Sequence, residues 1–126
     1  MKKFITIMVV LLGFAVISFA QVKTYTAYEF TMKINDEWCP WEANNCKIDV
    51  DFDHDIVTIH SYIPQIYTIT GTTTPPSDNK GEQKAFTCVN NDGESCRLRF
   101  RIQTNGRRQI YIDNFVTNTI SVYSIK

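Results

Sequence analysis

Beyond its first 20 residues, this sequence has no stretch in which apolar side chains return every three or four positions. That absence excludes a domain built on amphipathic helices. It also has no Gly-x-Ser-x-Gly, no His-Glu-x-x-His and no glycine-rich phosphate loop. There are only two histidines, His54 in a turn segment and His60 in a strand segment, and neither stands in a recognisable constellation with a Ser or Cys nucleophile. The residues therefore read as a protein that is not an enzyme and carries no cofactor. Charge of one sign is missing too. Thirteen Lys and Arg face 13 Asp and Glu, which gives no basic excess for nucleic acid. No internal repeat is present.

Long apolar runs are absent except for one. Ile5 to Ile17 is interrupted only by Thr6 and Gly13, follows Lys2 and Lys3, and leads to Ser18-Phe19-Ala20. A basic start, a short apolar run and a small-x-small ending read as a secretory signal peptide over 1–20. The run is shorter than the roughly 20 residues a spanning helix needs, so no membrane span is expected after cleavage. The first cysteine is Cys39, which leaves a lipoprotein anchor unsupported. Residues 21–126 then form one β-rich domain, exported to the periplasm or beyond the cell.

Four cysteines in an exported chain read first as disulfides. Asn91-Asp92-Gly93 is a hairpin turn signal, and a loop centred on Asp92 sets Cys88 opposite Cys96. That leaves Cys39 to pair with Cys46. Four cysteines allow three connectivities, and this one is preferred. Zinc is the alternative, but no C-x₂-C spacing occurs, so no metal is expected.

What is present is strand. Val22 to Ile34, Cys46 to Asp53, Val57 to Tyr62, Gln65 to Gly71, Lys84 to Asn90, Ser95 to Thr104, Arg108 to Asp113 and Ile120 to Ser124 alternate or carry Val, Ile, Thr, Tyr and Phe at strand density. Turns fall at His54, Asp92-Gly93 and Asn105-Gly106. Long loops are expected at Asp36 to Asn45 and, polar in character, at Thr72 to Gln83. The fold expected is all-β, an antiparallel meander of seven or eight strands closing as a small up-and-down barrel or folding into a two-layer sandwich.

Charge is patterned along this framework. Asp36 to Asp55 holds seven acids against Lys47, and Arg97 to Arg108 holds five arginines and no acid. In DVDFDHD, Asp49, Asp51 and Asp53 share one strand face while Ile48, Val50 and Phe52 share the other. Period-two alternation explains this as a solvated face. A helix-loop-helix calcium loop would need Gly and Glu where His54 and His60 stand. Arg97, Arg99 and Arg101 alternate in the same way; the favoured reading is again a solvated face, with an anionic ligand as the sharper one. Trp38 and Trp41 either plug the open end of the core, which is favoured, or stack on a sugar or partner.

At Gln65-Ile-Tyr-Thr-Ile69, at Cys88-Val-Asn-Asn-Asp-Gly-Glu-Ser-Cys96, at Gln109-Ile-Tyr-Ile-Asp113 and at the terminal Val122-Tyr-Ser-Ile125, the chain resembles a family of short exported hypothetical proteins of Bacteroidetes-type bacteria. Their pattern runs I-x-I-x-S, Q-x-Y-x-I, C-x-D-x-x-G-x-x-C, Q-[LI]-Y-[VI], V-Y-x-[VI]. Val57-Thr-Ile59-His-Ser61 supplies the first element, with Val in place of Ile. The resemblance covers most of 46–126 and is weaker over 21–45. It implies export and a β-rich fold, and it brings no assigned activity and no catalytic residue. Asn90, where the pattern has Asp, counts against a calcium loop there. The two Gln-x-Tyr motifs set Tyr67 beside Gln65 and Tyr111 beside Gln109, read as cross-strand pairs rather than the lining of a shared cavity.

The function expected is a binding module for a small ligand, a glycan or an envelope protein, with Trp38, Trp41, Arg97, Arg99 and Arg101 as candidate contacts. The alternative is a structural or assembly protein that self-associates through sheet edges or through its opposed charge stripes.

Overall fold

The structure, a computed structural model, describes residues 22–75 and 81–126. The segment read as a signal peptide lies outside the described residues. The strands are β1 (Lys23–Ile34), β2 (Glu37–Trp38), β3 (Glu42–Asp51), β4 (Ile56–Ile59), β5 (Gln65–Thr73), β6 (Gly81–Val89), β7 (Ser95–Gln103), β8 (Arg108–Asn114) and β9 (Thr119–Ile125). Among the described residues there is no helix, and so none long and apolar enough to cross a membrane.

From β3 to β9 each strand pairs antiparallel with the next. β1 then closes the sheet. Its first half pairs with β3, from Lys23 opposite Val50, and its second half with β9, down to Ile34 opposite Thr119. The result is an eight-stranded up-and-down barrel, with β2 as a short extra strand on β1. Tyr28 is the residue over which the register of β1 shifts. A bulge there bends the strand, which lets one strand serve both seams. Closure leaves the eight barrel strands no free edge.

Turn chemistry fixes the register. Gly93 and Gly106, both at positive φ, each end a three-residue hairpin. Gly93 donates its N–H to Asn90 and Gly106 donates to Gln103, the type I turn plus bulge arrangement. The Asn35-Asp36 turn, both residues at positive φ, was missing from the sequence reading. It converts part of the expected loop from Asp36 to Asn45 into β2 and the start of β3. The expected loop from Thr72 to Gln83 is likewise shorter. Thr72 and Thr73 extend β5, and Gly81 to Gln83 begin β6.

Alternation puts Ile48 and Val50, Val57 and Ile59, Leu98, Ile110 and Ile112 inside the barrel, where they are buried. Burying each such side chain stabilises the fold by about 1.5–3 kcal/mol. One end of the barrel bears the β1–β2, β4–β5, β6–β7 and β8–β9 connections. The other, the mouth, bears β3–β4, β5–β6 and β7–β8. Eight strands enclose an interior wide enough for packed side chains or one small ligand.

Candidate functional site

The packed interior stops short of the mouth. There the inward rings of Phe52, Phe86 and Phe100 form a triangle with centroids 5.5, 5.7 and 6.1 Å apart. With Tyr25, Val50 and Ile69 they wall a cavity of about 590 Å³ that opens at the end of the barrel. A smaller cavity of about 210 Å³ adjoins it, sharing Tyr25, Lys84 and Phe100 and reaching Arg108. Ligand sites commonly have this size and this apolar lining with a few polar groups. The polar side chains here are Asp55, Thr72, Thr73, Gln83 and Lys84. Asp55 is held at φ 58° in the β3–β4 turn, and its Oδ1 is buried without a hydrogen-bond partner among the described residues.

The DVDFDHD ladder contributes its turn to this wall. β3 ends at Asp51, two residues earlier than expected. Asp49 accepts a hydrogen bond from Thr24 at 2.7 Å and lies 2.8 Å from the His60 ring, and these partners hold its carboxyl below the ordinary carboxylate value. Asp51 accepts from the N–H groups of Asp53 and His54 and meets the His54 ring at 2.8 Å, which caps the turn. Among the described residues no cluster of three His, Cys, Asp or Glu is arranged to hold a metal ion.

The arginine stripe is not a solvated face, which corrects the favoured sequence reading. Arg99 and Arg101 are 7% and 6% exposed. Asp113, itself buried, accepts from Arg97 Nε at 2.8 Å and from Arg99 Nε at 2.7 Å and Nη2 at 2.7 Å. The Arg99 and Arg101 guanidiniums lie 4.4 and 5.2 Å from the Tyr111 ring centroid. The reason is register: Arg97 is opposite Asp113, and Arg99 is opposite Tyr111. The fork of Arg99 is therefore turned to its own chain.

Trp38 and Trp41 are 52% and 47% exposed and lie at the end opposite the mouth. They plug nothing, because Ile48, Ile59, Leu98 and Tyr123 already fill the interior. Lys33 sits 5.7 Å from the Trp38 ring.

All four cysteines are free thiols. Cys88 lies directly across from Cys96. Cys39 donates its N–H to Met32, whereas Cys46 stands opposite Ala27, five residues along β1. At about 3.3 Å per residue that separation is roughly 16 Å, too long for a bridge without backbone movement. The Cys39–Cys46 bond expected from the sequence is not formed here. Burial pushes the Cys88 thiol up to about 12 and raises Cys46 and Cys96 as well. A nucleophilic cysteine needs the opposite shift.

The two Gln-x-Tyr motifs make the same local bond, Tyr67 Oη to Gln65 Oε1 at 2.7 Å and Tyr111 Oη to Gln109 Oε1 at 3.0 Å. They share no cavity. Tyr67 belongs to the interior, and Tyr111 lies outside beneath the arginines.

The sequence reading missed Tyr25, Phe52, Phe86, Phe100, Lys84 and Arg108 as a group. One signal was available. Lys84 is in phase with Phe86 and Cys88, and Arg108 is in phase with Ile110 and Ile112, so each puts a cation at an inward position. Searches against protein-family models, curated proteins and solved structures find no match to this chain.

Proposed function

We propose that this protein is an exported binding module that takes a small, largely apolar ligand in the mouth of its barrel. One observation carries this reading: an open cavity of about 590 Å³ walled by three packed phenylalanines and Tyr25. Phe52 remains 38% exposed at its rim, a large apolar ring that water cannot satisfy. Apolar walls supply affinity by excluding water, while Asp55, Thr72 and Lys84 can orient what enters. The basic and apolar pattern of residues 1–20 supports export.

The test is calorimetric titration of the purified protein with the neutral aromatic probe 1-naphthylacetamide. Thr72 lies opposite Phe86 and lines the cavity. Thr72→Trp fills that space and is expected to abolish binding with the fold intact. Equal binding by wild type and Thr72→Trp would sink the proposal. Native mass spectra of protein purified from its source add a second check, extra mass that leaves on denaturation.

A second reading, assembly, is favoured by the opposite end. Among the described residues, eight of the eleven exposed large apolar side chains gather on its connections and the strand ends beside them, among them Trp38, Trp41, Tyr62 and Phe115. Association there rests on apolar burial, so its oligomers would persist in high salt. A monomer at all salt concentrations removes this reading.

A further inference from the structure

The mouth holds two cations where strand alternation calls for apolar groups. Lys84 stands opposite Phe100 on β7, and Arg108 stands opposite Ile102. Among the described residues neither forms an ion pair, although three arginine–carboxylate pairs occur elsewhere on the barrel. The Arg108 guanidinium lies 5.6 Å from the Tyr25 ring centroid, directed over the aromatic wall. Lys84 lines both cavities and Arg108 the smaller.

Resting on the reading of the mouth as a ligand site, we infer that the ligand is an amphipathic carboxylic acid. Its aryl or alkyl body lies among Phe52, Phe86 and Phe100, and its carboxylate sits at the rim between Lys84 and Arg108. The two cations suit such a group differently. Arg108 offers a planar fork, and Lys84 a mobile point charge that can follow the anion. The acids of the mouth sharpen the argument. Asp55 precedes β4, two strand positions from Lys84 on β6, and lines the larger cavity but not the smaller one that Arg108 reaches. Glu82 is inward and only two residues from Lys84, opposite Ile102. It competes with the ligand's carboxylate for the same charge.

The experiment compares 1-naphthylacetate with its neutral amide on the same purified protein by calorimetry. The acid is expected to bind about tenfold more tightly, the sum of two partly exposed charge contacts. That preference should shrink as salt rises. It should vanish in the double variant Lys84→Gln, Arg108→Gln, whose unchanged circular dichroism and thermal midpoint report an intact barrel. Glu82→Gln should tighten the acid alone. Equal affinity for acid and amide in wild type overturns the inference and leaves the cavity reading standing, as does a preference that survives the double variant. Binding of neither probe overturns both.

Discussion

Arg99 grips both carboxylate oxygens of Asp113, each at 2.7 Å, on the outer surface of a barrel where an arginine would ordinarily reach into water. The pair is covered by its own neighbours, with Tyr111 under the guanidinium and Arg97 on the same carboxylate. Removing one partner strands the other charge. Asp113→Ala is expected to cost about 3–5 kcal/mol in urea denaturation. Arg97→Ala, at a partner that is a quarter exposed, is expected to cost under about 1 kcal/mol. Similar losses for the two variants would mean that Asp113 is not the anchor of the stripe.

Cys88 and Cys96 are positioned for oxidation, and Cys39 and Cys46 are not. Treatment with oxidised glutathione is expected to yield a chain two hydrogens lighter, with the link mapped to 88–96 by peptide mass. Closing this nine-residue loop should add roughly 2–3 kcal/mol in the chain-entropy account. A product four hydrogens lighter, or a link through Cys39, would contradict the strand register described above.

Alkaline pH should unfold the barrel from within. Burial pushes Tyr123 up to about 12 and raises Tyr67 further, because a phenolate inside the barrel loses its water. A raised folded-state value contributes stability that is fully present below the unfolded tyrosine value of about 10. It is lost as pH rises through the folded value. Denaturation midpoints should therefore hold to about pH 10 and fall steeply toward pH 12, and Tyr123→Phe should flatten that fall. A flat profile in wild type would show that neither ring is enclosed.

Two glycines at positive φ should respond differently to alanine. Gly93 sits at φ 80° with open space where a Cβ would be, so Gly93→Ala costs only backbone strain, about 1 kcal/mol. Gly81 sits at φ 123°, and a Cβ there would run into the carbonyl oxygen and carbon of Ile102. Gly81→Ala should cost several times more and also weaken binding of naphthyl probes, because it displaces the β6–β7 pairing beside Lys84. Equal thermal shifts for the two variants would refute this.

Much of the fold was legible along the chain because alternation is local. Ile48, Val50 and Phe52 share a face whatever the rest of the protein does, and Asp92-Gly93 and Asn105-Gly106 turn the chain by their own backbone preferences. The sequence by itself therefore determined an antiparallel all-β meander and which side chains of each strand go together. It also aligned Cys88 with Cys96, since a single hairpin joins them. Tertiary structure decided what depends on strands distant in sequence. Pairing of β1 with β9 chose a barrel over a sandwich. The same closure brought residues 25, 52, 86 and 100 around one opening and left Trp38 and Trp41 at the other end. Asp113 reached Arg99 only through the β7–β8 register, so a stripe that reads as solvated became buried. Alternation tells each side chain which face it occupies; the chain's closure on itself decides what that face meets.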